Sequence, residues 1–259
     1  MATEARPDNW FYLPPTDTVD LMYKHVALLV REEGMSHEAF VDYWRDHHTP
    51  IAKDIEGVVR YHQVLPADPD NAEFDGLAEL YFERLEDLHA ALGSPGSRDY
   101  DPTREVAAKA REDVDNFLAI DQRPRFIGEE TVQRDDVDGD TDGLYKHSAF
   151  LVRQAGMSHD AFVDYWQHNH TPIARDIEGV VKYNTVLPSD PDNAEFDGVA
   201  ELYFETLEDL HAALGSPGSR DYDPTREVAA KAREDVDNFL AIDERPRFIG
   251  QERVVVDRT

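Results

Sequence analysis

The chain has 259 residues, of which 55 are acidic and 26 are Lys or Arg, so its formal charge is −29, and it contains no cysteine. This charge disfavours binding to nucleic acid or to an anionic membrane surface, and the lack of cysteine excludes disulfides, thiolate nucleophiles and cysteine-ligated metal centres. No apolar run approaches the roughly 20 residues that span a bilayer, and the N-terminal residues lack the features of a signal peptide, so a cytoplasmic protein is expected.

The first predicted element is a buried strand over residues 22–31, where β-branched and apolar residues run together. Ser36 is then a suitable N-cap for a helix on which Phe40, Trp44 and His48 recur every four residues. Pro50 lies two residues after His48, so the helix is expected to end or kink at that histidine.

Two more strands are predicted over 58–65 and 74–82, and the second carries Glu79 in the middle of one face. A helix over 85–92, a second helix from about 102 to 118 and a last strand over 124–132 complete the unit. The order β-α-β-β-α-β, with one extra helix, is the ferredoxin-like arrangement.

This unit occurs twice. Residues 24–130 align with 146–252 at an offset of 122 without a gap, and 90 of the 107 positions are identical. The period fits a small domain and is too long for a solenoid repeat. The predicted organisation, by residue number, is an N-terminal extension (1–20), a first domain (21–133), a linker rich in Asp and Gly (134–143) and a second domain (144–259).

Helices cover one face of such a sheet, so the other face must be buried, most simply against a second sheet. We therefore expect an α+β fold in which two ferredoxin-like βαββαβ domains pack their antiparallel sheets into an intramolecular, pseudo-dimeric barrel. Further association into a homo-oligomer is left open.

The acidic residues point to a salt-adapted surface. Lysine is scarce, with 6 Lys against 20 Arg, while 10% of the residues are aromatic, which argues against an acidic disordered chain. A folded, acidic, lysine-poor protein is typical of a halophile, in which molar salt screens charge repulsion. A merely acidic mesophilic protein is the alternative.

Two motifs, KHVALLVREEGMSHEAFVDYWRDHHTPIA and FDGLAELYFERLEDLHAAL, each with a near copy in the second half, resemble the EthD family of the dimeric α+β barrel superfamily. The resemblance covers nearly all of both copies and implies two small barrel-forming protomers fused in one chain. The family's association with ether degradation and with polyketide or aromatic metabolism implies a small hydrophobic or aromatic ligand and oxidoreductase or oxygenase-associated chemistry.

His48 and its counterpart His170 are the first catalytic candidates. An imidazole at a helix C-terminus lies near free carbonyls, which would raise its pKa and suit it to proton transfer near neutral pH. A histidine that only satisfies those carbonyls is the alternative. Neighbouring aromatic side chains are expected to shape the pocket: Trp44, Tyr61 and Tyr81, with Trp166, Tyr183 and Tyr203 in the second copy.

Glu79 and Glu201 are the second candidates. If the open face of the sheet forms the barrel interior, Glu79 is buried and its pKa rises, so that it could form an acid–base couple with His48. The alternative is a structural ion pair with Arg60 or Arg125.

Some substitutions between the copies alternate along the strands, which favours two cavities with different linings, one polar near His62 and one aromatic near Phe150. Drift at surface positions is the alternative. The substitutions are Val26 to Ser148 and Leu28 to Phe150 on the first strand, and Arg60 to Lys182 and His62 to Asn184 on the second.

The sequence contains no recognisable metal or nucleotide motif. His47 and His48 lack the i, i+4 spacing of a helix-borne metal pair, and no Walker loop, dinucleotide fingerprint or nucleophile elbow is present. No cofactor is therefore predicted, and haem or a metal is disfavoured.

These features favour an enzyme that acts on a small hydrophobic or aromatic metabolite with His and Glu as acid–base groups. The alternatives are a non-catalytic ligand-binding or accessory protein and a structural pseudo-dimer whose interior is filled by its own side chains.

Overall fold

A computed structural model describes residues 22–217, 219 and 222–259. The predicted N-terminal extension, 1–20, lies outside the described residues. The first copy contains four strands and four α-helices, in the order β1 (Met22–Leu29), α1 (His37–Tyr43), α2 (Thr49–Ala52), β2 (Val58–Pro66), β3 (Gly76–Phe82), α3 (Leu85–Leu92), α4 (Glu105–Asp113) and β4 (Arg125–Asp135). A π-helical turn (Trp44–His48) joins α1 to α2, and two 3₁₀ turns (Val114–Asn116 and Ile120–Gln122) follow α4.

The second copy repeats this order as β5 (Tyr145–Leu151), α5 (His159–Tyr165), α6 (Thr171–Ala174), β6 (Val180–Pro188), β7 (Gly198–Phe204), α7 (Leu207–Leu214), α8 (Glu227–Asp235) and β8 (Arg247–Asp257). Its π-helical turn is Trp166–His170, and its 3₁₀ turns are Val236–Asn238 and Ile242–Glu244. Ser36 and Ser158 cap α1 and α5 as their residue type suggests, each accepting a hydrogen bond from a backbone N–H of the first turn.

The eight strands form a closed antiparallel barrel in the order β1-β3-β2-β8-β5-β7-β6-β4. Each copy supplies a four-stranded sheet, and the long last strands close the seams, β4 against β6 and β8 against β2. The predicted α+β barrel built from two βαββαβ units is confirmed. β4 extends to Asp135 because it pairs with β6 as far as Lys182, so the strand enters the region predicted as linker.

Alternation along each strand divides the side chains between two environments. The inner face carries an apolar cluster shared by both copies: Val26, Leu28, Val64, Phe74, Leu77, Phe126, Phe150, Val186, Phe196, Val199 and Phe248. The outer face of each sheet packs against the helices of its own copy and forms a separate core. This division decides which candidate residues can meet.

Gly76 on β3 leaves room for the indole of Trp44, because a Cβ at this position would lie 2.6 Å from the ring. Gly198 has the same relation to Trp166, with a distance of 2.5 Å. The two glycines therefore allow the helical layer to pack closely against the sheet at equivalent positions in the two copies. No helix within the described ranges is long and apolar enough to cross a membrane.

Candidate functional site

His48 lies in a widened helical turn, not at a helix end. The Thr49 N–H bonds to the Trp44 carbonyl in the π-helical pattern, the Thr49 hydroxyl donates to the same carbonyl at 2.7 Å, and the helix continues through Ala52. The helix does not end at His48, because Pro50 falls in the first turn of α2, where its missing N–H costs little. The alternative expectation, a local distortion at His48, agrees with the π-helical turn that closes at this residue. Such π-bulges are frequent at functional sites.

The imidazole of His48 is held by α4. Its Nδ1 lies 2.8 Å from Oδ2 of Asp113, whose Oδ1 accepts a hydrogen bond from the Tyr43 hydroxyl at 2.9 Å, and the ring packs 5.0 Å from that of Phe117. The second copy repeats this arrangement, with 2.9 Å between His170 Nδ1 and Asp235 Oδ2.

The predicted rise in the pKa of His48 is also wrong. Burial lowers the pKa, and the nearby carboxylate of Asp113 offsets this only in part. The imidazole is therefore neutral at pH 7, with Nδ1–H donating to Asp113 and Nε2 left as the basic nitrogen. The pKa of His170 is lowered for the same reason.

Each copy has a cavity between its helices and the outer face of its sheet. The first is lined by His48, Trp44 and Tyr61, and the Trp44 indole N–H donates to the Tyr61 hydroxyl at 2.8 Å. The second is lined by the counterparts His170, Trp166 and Tyr183. We call these the helix-side cavities.

Sequence reasoning missed the most polar part of these cavities. His25 on β1 and four arginines also line the first one: Arg98, Arg111, Arg123 and Arg125. A signal existed, since each of the 22 lining residues of the first cavity has the same residue 122 positions later. The copies differ elsewhere, so the helix-side cavities belong to their invariant part.

Glu79 does not meet His48. It points into the barrel, fully buried, where the Lys146 ammonium from the other copy donates to its two oxygens at 2.5 and 2.6 Å. Lys24 makes the reciprocal contacts with Glu201 at 2.7 and 2.6 Å. The predicted couple of His48 with Glu79 is wrong, because Glu79 points into the barrel whereas His48 lies in the helical layer on the outer face of the sheet.

The predicted ion-pair partners Arg60 and Arg125 are likewise wrong. Arg60 forms an ion pair with Asp257, the last residue of β8, and Arg125 donates to backbone carbonyls beside α3. The two glutamates at the barrel centre differ in charge. Burial and repulsion by Glu79 raise the pKa of Glu201 to about 8, whereas Lys146 and Lys24 outweigh burial and lower that of Glu79. The predicted rise in the pKa of Glu79 is therefore wrong.

Other predicted pocket residues also face the barrel interior. The rings of Tyr81 and Tyr203 lie 4.8 and 4.9 Å from the ammonium groups of Lys24 and Lys146, and neither tyrosine lines a helix-side cavity. His62, with its ring 5.1 Å from that of Tyr81, lies at the wall of a groove at one barrel end.

The residues that differ between the first strands of the two copies pack the barrel interior. Val26, Leu28 and Phe150 belong to the shared apolar cluster, and Ser148 is buried beside it. They do not reach the helix-side cavities, so the prediction that these substitutions give the two copies different pockets is wrong for those cavities. Their positions alternate as predicted, but on the inner face.

One group of metal-binding residue types occurs within the described ranges: His62, Glu79 and Glu252 place ligand atoms within 4.8 Å of one another. Lys146 already occupies the site as a cation, with its Nζ 2.5 Å from Glu79 and 3.2 Å from Glu252. The geometry therefore favours an internal ion-pair network over a metal centre.

Comparison with known proteins supports the same architecture. Residues 32–121 and 154–243 match the model of the EthD domain. The fold is similar to that of an anthrone oxidase-like protein (TM-score 0.57, 11% identity, 93% of this chain and 95% of that chain covered) and to that of a mutant chlorite dismutase from Candidatus Nitrospira defluvii (TM-score 0.53, 11% identity, 90% and 92% covered). At such identities the likeness concerns the fold alone. A search of curated proteins found no match.

Proposed function

The chain belongs to the EthD family, with two EthD domains in tandem, and from that premise we propose that its helix-side cavities bind a small hydrophobic or aromatic metabolite on which His48 and His170 act as general bases. The observation that carries the proposal is the His–Asp pair at the wall of each cavity, 2.8 Å in the first copy and 2.9 Å in the second.

In the proposed reaction, Nε2 of His48 removes a proton from an acidic C–H or O–H group of the ligand. Asp113 holds the ring through Nδ1 and stabilises the imidazolium that forms. Because its pKa is lowered, His48 is in its basic form at pH 7. Dioxygen, the oxidant that this proposal requires as co-substrate, would then bond to the carbanionic carbon of the enolate or phenolate, and the proton returned from Nε2 of His48 would complete a hydroperoxide. This step would make the chain an oxidoreductase.

The proposal gives Asp113 and Asp235 the part that the sequence had suggested for Glu79 and Glu201. The glutamates are sealed in the barrel by ammonium groups, so we assign them to the joining of the two copies. Trp44, Tyr61 and their counterparts remain the proposed walls for an aromatic ligand.

The test is a set of substitutions in the two equivalent sites. Acidic aromatic ketones and phenols, anthrone among them, are incubated with the protein in deuterium oxide, and deuterium incorporation is followed by NMR while oxygen uptake is recorded. His48→Gln or His170→Gln alone should leave about half of the activity, since the other cavity is intact. The double variant should lose about 10²- to 10⁴-fold, the usual contribution of a general base.

His47→Asn is the matched control, because His47 is exposed and the second copy has Asn169 at the equivalent position. It should retain full activity. Turnover that survives in the double variant would contradict the proposed role of the histidines. Binding without any turnover by the unmodified protein would favour the alternative of a non-catalytic binding or accessory protein.

A further inference from the structure

The helix-side cavities differ in charge from the rest of the molecule. The whole chain has 55 acidic side chains against 26 Lys and Arg, yet the 22 residues that line the first cavity include four arginines and no Asp or Glu. The lining of the second cavity, within the part of the chain that the structure describes, has three arginines and again no acid: Arg233, Arg245 and Arg247.

Two of the guanidinium groups in the first cavity are bonded to neutral groups. Arg125 donates to the carbonyl of Leu92 at 3.0 Å and to that of Ser94 at 2.5 Å, and Arg98 donates to the carbonyl of Ile120 at 2.9 Å. Carbonyl oxygens orient a guanidinium but leave its charge uncompensated, as at Arg125, whereas Arg98 also lies 3.8 Å from the exposed carboxylate of Asp121. These two arginines are thus fixed in place as cations.

Arg123 is less satisfied still. Its side chain makes no hydrogen bond or ion pair within the described residues, and its Nε is buried without a partner. Burial and the neighbouring Arg98 and Arg125 lower its pKa to about 10, so it remains charged at pH 7. A charged group left in this state is destabilising by itself and is expected where a ligand completes it.

His25 adds a second unpartnered group at the same cavity. It is only 4% exposed, and its Nδ1 has no hydrogen-bond partner among the described residues. Burial, followed by the charge of Arg125 and Arg123, holds its pKa well below the usual range. The ring is therefore neutral and adds no charge, but it offers one more polar atom to a bound group.

We infer that each helix-side cavity takes an aromatic carboxylate, with the carboxylate at the arginines and the ring against Trp44 and Tyr61. Planar guanidinium groups match a carboxylate in geometry as well as in charge, so this end of the cavity is suited to a planar oxyanion. The inference rests on the proposed function, because it assigns the substrate class of the same cavity. It adds an acidic headgroup to the hydrophobic or aromatic metabolite.

The experiment compares two ligands of nearly the same shape, 2-naphthoate and its neutral analogue 2-naphthamide, by titration calorimetry at one ionic strength. We expect naphthoate to bind about 10- to 100-fold more tightly than naphthamide, at two sites per chain, although the protein as a whole repels anions. An amide that binds as tightly as the carboxylate would overturn the inference.

Arg123→Met should weaken naphthoate at one of the two sites about 10-fold or more and leave naphthamide unchanged, and Arg123→Met/Arg245→Met should weaken it at both. Arg84→Met, which removes the same charge from an exposed surface position, is the matched control and should change neither ligand. Since Arg123 has no partner to lose, its replacement should leave the melting temperature unchanged or raise it. A large fall in melting temperature with unchanged naphthoate binding would show a structural role instead.

The outcomes separate this inference from the proposed function. If naphthamide binds as well as naphthoate while His48→Gln/His170→Gln abolishes proton exchange, the anion preference fails and the acid–base role stands. If naphthoate binds through Arg123 but the histidine variants keep full exchange activity, the ligand class stands and the acid–base role fails.

Discussion

Burial lowers the pKa of six histidines, and four of these are deeply buried, which has a consequence for stability in acid. The pKa values of His25 and His147 are lowered well below their usual range, and those of His48 and His170 are lowered as well. The unfolded chain therefore binds these protons more readily than the folded one. The contribution of these histidines to the free energy of unfolding is fully present above pH 6.5, the approximate pKa of histidine in the unfolded chain. It is lost as the pH falls below that value.

We predict that His25→Leu/His147→Leu makes the free energy of unfolding fall less steeply as the pH is lowered. Each removed histidine should reduce the slope of the free energy of unfolding against pH by up to about 1.4 kcal/mol per pH unit between pH 6.5 and 5.5. Denaturant unfolding at half-unit steps of pH measures the slope, and the exposed His47→Asn serves as control. A slope identical to that of the unmodified protein would show that these histidines titrate normally.

At this scale the sequence identifies some of the site but not its charge. The four-residue spacing of Trp44 and His48 places both on the face that meets the sheet, and the structure brings them to the same cavity. His25 and Arg123 carry no such signal, because a strand with a continuous apolar run does not reveal which side faces helices. An arginine in sequence is also expected at the surface.

At the scale of elements, the pleat explains why the copies diverge where they do. Leu28 lies opposite Leu77 in the pairing of β1 with β3, and the equivalent pair of β5 and β7 is Phe150 with Val199. The larger side chain on one strand is matched by the smaller one on the next. This pair of substitutions therefore nearly conserves the local volume, as expected for a close-packed core.

This pairing predicts a rescue. Val199→Leu alone should overpack the interior beside Phe150 and cost about 1–3 kcal/mol, whereas Phe150→Leu/Val199→Leu restores the Leu–Leu pair of the first copy and should cost less than about 1.5 kcal/mol. Denaturant unfolding of the two single variants and the double variant forms the cycle. Additive effects would mean that the two positions do not compensate each other.

The order of strands and helices could be predicted because both periodicities are strong in this sequence and some elements end at Gly or Pro, as α3 does before Gly93 and β2 does at Pro66. The continuation of the helix beyond Pro50 could not. It depends on the Thr49 hydroxyl and N–H sharing one carbonyl, a local hydrogen-bond choice that residue spacing does not reveal. The pKa expected for His48 failed with it.

On the scale of the whole molecule, the two copies are joined by two seams of paired strands and by a central group of ions. Lys24 of the first copy bonds to Glu201 of the second, and Lys146 of the second bonds to Glu79 of the first. The duplication predicted the barrel, but it could not predict these crossed pairs. Each glutamate lies near both lysines but is closer to the lysine of the other copy than to the lysine of its own copy.

The central group also determines the behaviour of the molecule in mild alkali. Burial and Glu79 raise the pKa of Glu201 to about 8, so the folded protein keeps a proton that the unfolded chain loses. The contribution of the Glu201 carboxyl to the free energy of unfolding is fully present below about pH 4.3, the pKa of glutamate in the unfolded chain. It is lost as the pH rises towards 8. Together with the histidines, this places the maximum of stability from these groups near neutral pH.

Glu201→Gln should remove the alkaline loss, because an amide cannot ionise. Since Glu201 is mainly protonated at pH 7, the single variant should unfold with nearly the stability of the unmodified protein, and its stability should not fall between pH 7 and 8. The double variant Glu79→Gln/Glu201→Gln also removes the ionised carboxylate of Glu79, which lies 2.5 Å from Lys146 and 3.0 Å from Lys24, and should cost about 3–5 kcal/mol. Denaturant unfolding at pH 6.5, 7 and 8 measures both, with the exposed Glu205→Gln as control. If Glu201→Gln loses several kcal/mol at pH 7, Glu201 is ionised and the proton lies elsewhere in the group.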